Sequence, residues 1–79
     1  MTIKVLGPGC NKCKTLEKLT AEIVNNLGIQ AEISKEEDIM KIMQYGIMNT
    51  PGLVINGQVV LSGRIPTSKE LESLITENQ

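Results

Sequence analysis

Cys10-Asn11-Lys12-Cys13 sets two thiols one helical turn apart, where a strand pattern gives way to a helix pattern. They are the only cysteines in the 79 residues. The apolar stretch Ile3-Lys4-Val5-Leu6 and the turn Gly7-Pro8-Gly9 precede them. A thiol at a helix N-terminus faces unpaired backbone N–H groups and the positive end of the helix dipole. Both favour thiolate over thiol, so the pKa falls. A thiolate with a second thiol beside it is equipment for disulfide exchange.

In that chemistry Cys10, at the helix start, is the expected nucleophile, and Cys13, one turn in and more buried, resolves the mixed disulfide. A purely stabilising disulfide is the plainer use of two cysteines. A loop this short removes little chain entropy, about 2 kcal/mol, and a reducing cytosol opposes the bond. The context therefore favours exchange.

Composition narrows the chemistry further. There is no histidine, so no imidazole acts as base or ligand. Eight basic and nine acidic residues leave a net charge of −1, which points to neither nucleic acid nor a membrane as partner. No apolar run approaches spanning length. Met1-Thr2-Ile3-Lys4 lacks a secretory apolar stretch, so the cytoplasm is the expected location. One domain over residues 1–79, working as a monomer, is expected from the length.

The elements that must hold the thiols follow from periodicity. Residues 2–6 read as a central strand. Cys13, Leu16, Leu19, Ile23, Val24 and Leu27 recur at helical spacing over residues 11–27, and Gly28 ends that helix. Ile29-Gln30-Ala31-Glu32-Ile33 alternates like an edge strand. Ser34 and Glu37 have capping-box spacing and open a second helix that fades at Tyr45-Gly46. Asn56-Gly57, between Leu53–Ile55 and Val59–Leu61, signals a type I′ hairpin. Thr67 and Glu70 cap a third helix with Leu71, Leu74 and Ile75 inward, and residues 76–79 fray. The order β-α-β-α-β-β-α gives an α/β fold. Its four-stranded mixed sheet starts with a parallel, right-handed crossover. Helices one and three cover one face and helix two the other.

This order, with the cysteine pair after strand one and Thr50-Pro51 before the hairpin, resembles the thioredoxin/glutaredoxin superfamily. It looks most like the small thioredoxin-like, redox-active disulfide proteins of archaea and bacteria, over essentially the whole chain. The resemblance implies a thiol–disulfide oxidoreductase that needs no cofactor beyond the Cys10–Cys13 disulfide. It implies protein disulfides as substrates and a thioredoxin-reductase-like or other thiol donor. It also implies a cis Pro51 beside the cysteines, with the Thr50 backbone offering hydrogen bonds to a substrate segment. Asn11-Lys12 matches neither the Gly-Pro of thioredoxins nor the Pro-Tyr of glutaredoxins. Lys4 stands where thioredoxins carry a buried aspartate. Ser62-Gly63-Arg64-Ile65 does not reproduce the glutathione-holding pattern.

Several side chains have two uses. Lys12 and Lys14 either lower the Cys10 pKa or are solvated charges. Lys4 either assists proton transfer to Cys13 or snorkels to the surface. Met40 and Met43 are expected to pack in the core rather than bind copper. Ile47, Met48 and the Gly7–Gly9 turn are candidates for an apolar collar around a partner chain. The competing class is a metal-binding module for Cu(I) or zinc, since copper chaperones also begin strand, C-x-x-C, helix. They carry a methionine where this chain has Pro8, and place a third strand where Ser34–Gln44 reads as helix. A non-catalytic adaptor is a third class, disfavoured by the intact cysteine pair.

Overall fold

The computed structural model describes residues 1–9 and 11–79. The element order is β1 (Thr2–Leu6), α1 (Asn11–Leu27), β2 (Glu32–Glu36), α2 (Ile39–Gln44), β3 (Gly52–Ile55), β4 (Gln58–Ser62) and α3 (Ser68–Glu77). Among the described residues the sheet has four strands, in the order β2-β1-β3-β4. β1 pairs parallel with β2 and antiparallel with β3, and β3 pairs antiparallel with β4. The expected mixed thioredoxin-like sheet is therefore present, with β1 central.

Alternation along β1 and β3 divides the core into two layers. Ile3, Val5, Leu53 and Ile55 face Leu16, Ile23 and Val24 of α1 and Leu71 and Ile75 of α3. Leu6 and Val54 face the other way, against Ile42 of α2 and Ile47. Helices α1 and α3 thus share one face and α2 takes the other. Thr20 is fully buried within the α1 layer, and its hydroxyl donates to the Leu16 carbonyl at 2.7 Å, so no polar atom is orphaned there.

The hairpin turns at Asn56 (φ 51°) and Gly57 (φ 85°), the left-handed pair that a type I′ turn requires. The Asn56 carboxamide accepts from Thr2 N and donates to Asn78 O, tying the turn to β1 and to the end of α3. Thr76 and Glu77 are helical and Asn78 is hydrogen-bonded on both sides, which corrects the expected fraying over residues 76–79. Leu53 faces Leu61 while Val54 faces Val59, which leaves Val60 as the extra residue of a bulge.

Two boundaries differ from expectation. The second strand is at the sheet edge, but it runs from Glu32 to Glu36 rather than 29–33. Ile29 and Ala31 do pack on the core, as their alternation implies, but the ladder with β1 begins at Thr2↔Glu32. Ser34 and Glu37 consequently form no capping box. Asp38 caps α2, accepting from Met40 N at 2.9 Å, and α2 is six residues long.

At α3, Thr67 Oγ1 accepts from Glu70 N at 3.1 Å, but the Glu70 side chain turns to Arg64 instead of closing the box. Arg64 Nη1 donates to Glu70 Oε1 at 2.7 Å, and Nη2 donates to Oε2. This bidentate hydrogen bonding holds the Glu70 carboxyl below its ordinary range. A lowered carboxyl pKa favours folding above the ordinary carboxylate range, and the contribution is lost as pH falls through the lowered value. The pair is exposed, so the energy is small. Arg64→Met should return the Glu70 pKa upward in a carboxyl-carbon NMR titration; an unmoved titration would contradict the assignment. Among the described residues, no helix is long and apolar enough to cross a membrane.

Candidate active site

The C-terminal end of β1 delivers the chain to the start of α1 through Gly7-Pro8-Gly9. Gly7 N donates to Glu36 O at 2.9 Å, which extends the β1–β2 ladder by one residue and fixes Gly7 in place. α1 begins at Asn11, immediately after Cys10, and has no acidic residue in its first turn. Lys12 and Lys14 are exposed there. The nucleophile assigned from sequence, Cys10, lies outside the described residues. Cys13 is 5% exposed and disulfide-bonded.

Gly7 is packed directly on Cys13. A Cβ at Gly7 would sit 2.0 Å from Cys13 Sγ and 3.0 Å from Cys13 Cβ, so only glycine fits. The same point is 3.9 Å from Thr50 Cβ. Gly7, Cys13 and Thr50 therefore converge, although 36 residues of chain lie between the last two. Sequence reading took Gly7 as a turn residue. Nothing in a single sequence says which atom lies opposite a glycine.

The Thr50–Pro51 peptide is cis. Pro51 is buried, and its carbonyl accepts from Gly63 N at 2.8 Å. The Arg64–Glu70 pair thus anchors to α3 the loop that grips Pro51. Thr50 remains half-buried, with one side reachable from solvent.

A groove opens beside Thr50. Ile39, Ile42, Met43, Ile47 and Met48 line it. Here the structure corrects the expectation that the α2 methionines are core. Met40 is 69% exposed and Met43 62%, and Met48 is 97% exposed. A six-residue helix rich in apolar side chains can bury only one stripe, and Ile42 occupies it.

Other polar residues fall around this centre. Glu37 Oε2 lies 3.5 Å from the position of a Cβ on Gly9. Lys35 Nζ is 3.8 Å from both Glu37 and Glu17, linking β2 to α1. Glu37 therefore pairs with Lys35 instead of closing the capping box that its spacing from Ser34 signals. Lys4 lies on the α2 face of the sheet, in grooves shared with Tyr45, Ser34 and Glu36. Among the described residues no cluster of three or more His, Cys, Asp or Glu is arranged to hold a metal.

Residues 1–76 match the family model described as thioredoxin domain. The chain belongs to the thioredoxin family. It is similar to a thioredoxin of Methanothermobacter thermautotrophicus, 34% identical over 76 residues, covering 96% of this chain and 99% of that one. Two thioredoxins of Methanocaldococcus jannaschii are 33% and 35% identical, covering 91% and 87% of this chain and 83% and 84% of theirs. Membership makes the protein a thioredoxin-like disulfide oxidoreductase. The copper-chaperone order is overturned by α2, which separates β2 from β3.

Proposed function

We propose that the protein exchanges its Cys10–Cys13 dithiol/disulfide with disulfides of other proteins, as a reductase or electron relay in the cytoplasm. The observation that carries this reading is the convergence of Gly7, Cys13 and Thr50 at the start of α1. Cys10 is the nucleophile and forms the mixed disulfide. Cys13 then attacks Cys10 Sγ, which releases the substrate thiol and leaves the Cys10–Cys13 disulfide. A donor dithiol of the thioredoxin-reductase class, or another thiol donor, returns the pair to the reduced state. No cofactor takes part, and the protein works as a monomer, one domain over residues 1–79.

Thr50 and Pro51 bind the substrate segment. The half-buried Thr50 backbone offers strand-like hydrogen bonds. The adjoining groove takes apolar side chains of the partner against Ile47 and Met48. Lys12, at the positive end of α1, adds to the field that stabilises the Cys10 thiolate. Lys4 modulates more weakly, from the opposite side of β1.

The test is the reduction potential of metal-free protein equilibrated against defined thiol buffers. A reversible two-electron couple at roughly −200 to −270 mV is expected. A pair that does not cycle, or thiols protected until a chelator strips a metal, would sink the proposal and favour a Cu(I) or zinc module instead.

A further inference from the structure

We propose that Met43 and Met48 form a peroxide-sensitive modification site that controls access of protein substrates to the Thr50 groove. The proposal rests on the dithiol reading above and adds to it a chemistry that the cysteines do not perform. Both methionines line the groove that reaches Thr50, and both are open to solvent, Met48 almost completely. Of the other apolar residues of that groove, Ile42 and Ile47 are buried and Ile39 is exposed at its rim. The thioethers, with Ile39, are therefore the apolar surface a partner touches first. The chain has one aromatic residue, Tyr45, so methionine supplies the contact area that aromatic side chains supply at many interfaces.

Susceptibility of methionine to oxidation follows exposure. In the disulfide form Cys13 is buried and already oxidised, so a peroxide meets the thioethers before any free thiol. Each sulfur accepts one oxygen atom and loses two electrons. Hydrogen peroxide is reduced to water, and no other reagent is consumed. The product sulfoxide is polar, and burying it against an apolar partner segment is unfavourable. Methionine sulfoxide reductases reverse the change. The disulfide-exchange centre itself is untouched, so the modification discriminates by substrate size.

The experiment oxidises the disulfide form with hydrogen peroxide, removes the peroxide and restores the dithiol with dithiothreitol, which leaves sulfoxides in place. Peptide mass spectrometry should find the added oxygen on Met48, Met40 and Met43 well before Met1, which packs partly against the core; Met40 lies outside the groove and stays in the double variant below as the control for oxidation elsewhere. Turnover of a protein disulfide such as insulin should fall about five- to tenfold, with turnover of a small aromatic disulfide unchanged. Met43→Leu/Met48→Leu, compared with itself before and after peroxide, should keep its rate. Equal losses on both substrates, or the same fractional loss in the double variant, would overturn the proposal. Untreated protein that turns over neither disulfide would instead remove the dithiol reading on which it rests.

Discussion

Cys10→Ser should abolish disulfide exchange, whereas Cys13→Ser should still attack substrates and stall as a mixed disulfide. The two thiols are chemically identical in the unfolded chain, so any asymmetry comes from the fold. Cys13 is 5% exposed, with Gly7 closed over its sulfur. Its sulfur is closed to a substrate disulfide in this structure. Cys10 directly precedes α1, whose first turn carries Lys12 and Lys14 and no carboxylate. Serine at position 10 replaces the attacking sulfur with a hydroxyl that does not displace thiolate from a disulfide, and turnover drops to background. Serine at position 13 removes only the resolving step, and the covalent adduct accumulates until added thiol releases it. Non-reducing gels and intact-mass measurements read both outcomes. Adducts trapped by Cys10→Ser and not by Cys13→Ser would reverse the assigned roles.

Much of the frame that holds this site was legible in the residues. The bounds of β1 and α1 follow from an apolar strand, a turn and a helical repeat stopped by Gly28. The hairpin follows from Asn56-Gly57, because few other pairs accept two left-handed residues in succession. The second strand was found in kind but displaced by three residues. Alternation at 29–33 marks which side chains face the core, while pairing with β1 decides which peptide groups join the ladder. The α2 methionines were misread for a related reason. Apolar periodicity tells that a stripe will be buried, and α2 is too short to bury more than Ile42.

The site was legible only in part. Cys10, Cys13, Thr50 and Pro51 are marked by residue type and by their places in the element order. Gly7 is not, because its importance lies in the Cys13 and Thr50 atoms beside it. Such contacts join distant stretches of chain, and only tertiary packing creates them.

Gly7→Ala should therefore be damaging out of proportion to its one added methyl group. Its backbone dihedral is not in the left-handed region, so alanine meets no conformational obstacle there. The obstacle is the sulfur 2.0 Å away, backed by Cys13 Cβ at 3.0 Å. Neither is the free end of a flexible side chain, because Cys13 is fixed in α1 and disulfide-bonded. Relief requires β1 and the start of α1 to separate, while the Gly7 N–H bond to Glu36 resists the move. Overpacking of this kind costs about 1–3 kcal/mol of stability. Displacement of a reacting group by about 1 Å lowers turnover by about a hundredfold.

Gly28→Ala supplies the contrast. Gly28 has φ +67° with nothing within 4 Å of its Cβ position, so its cost is conformational, about 1–2 kcal/mol, and disulfide turnover should be unaffected. A double-mutant cycle isolates the cause. In a Cys13→Ala background the sulfur is gone, and Gly7→Ala should destabilise less than in the parent, as measured by urea unfolding. Equal destabilisation in both backgrounds, or Gly7→Ala protein with undiminished turnover, would show that the glycine is not there to make room for the resolving thiol.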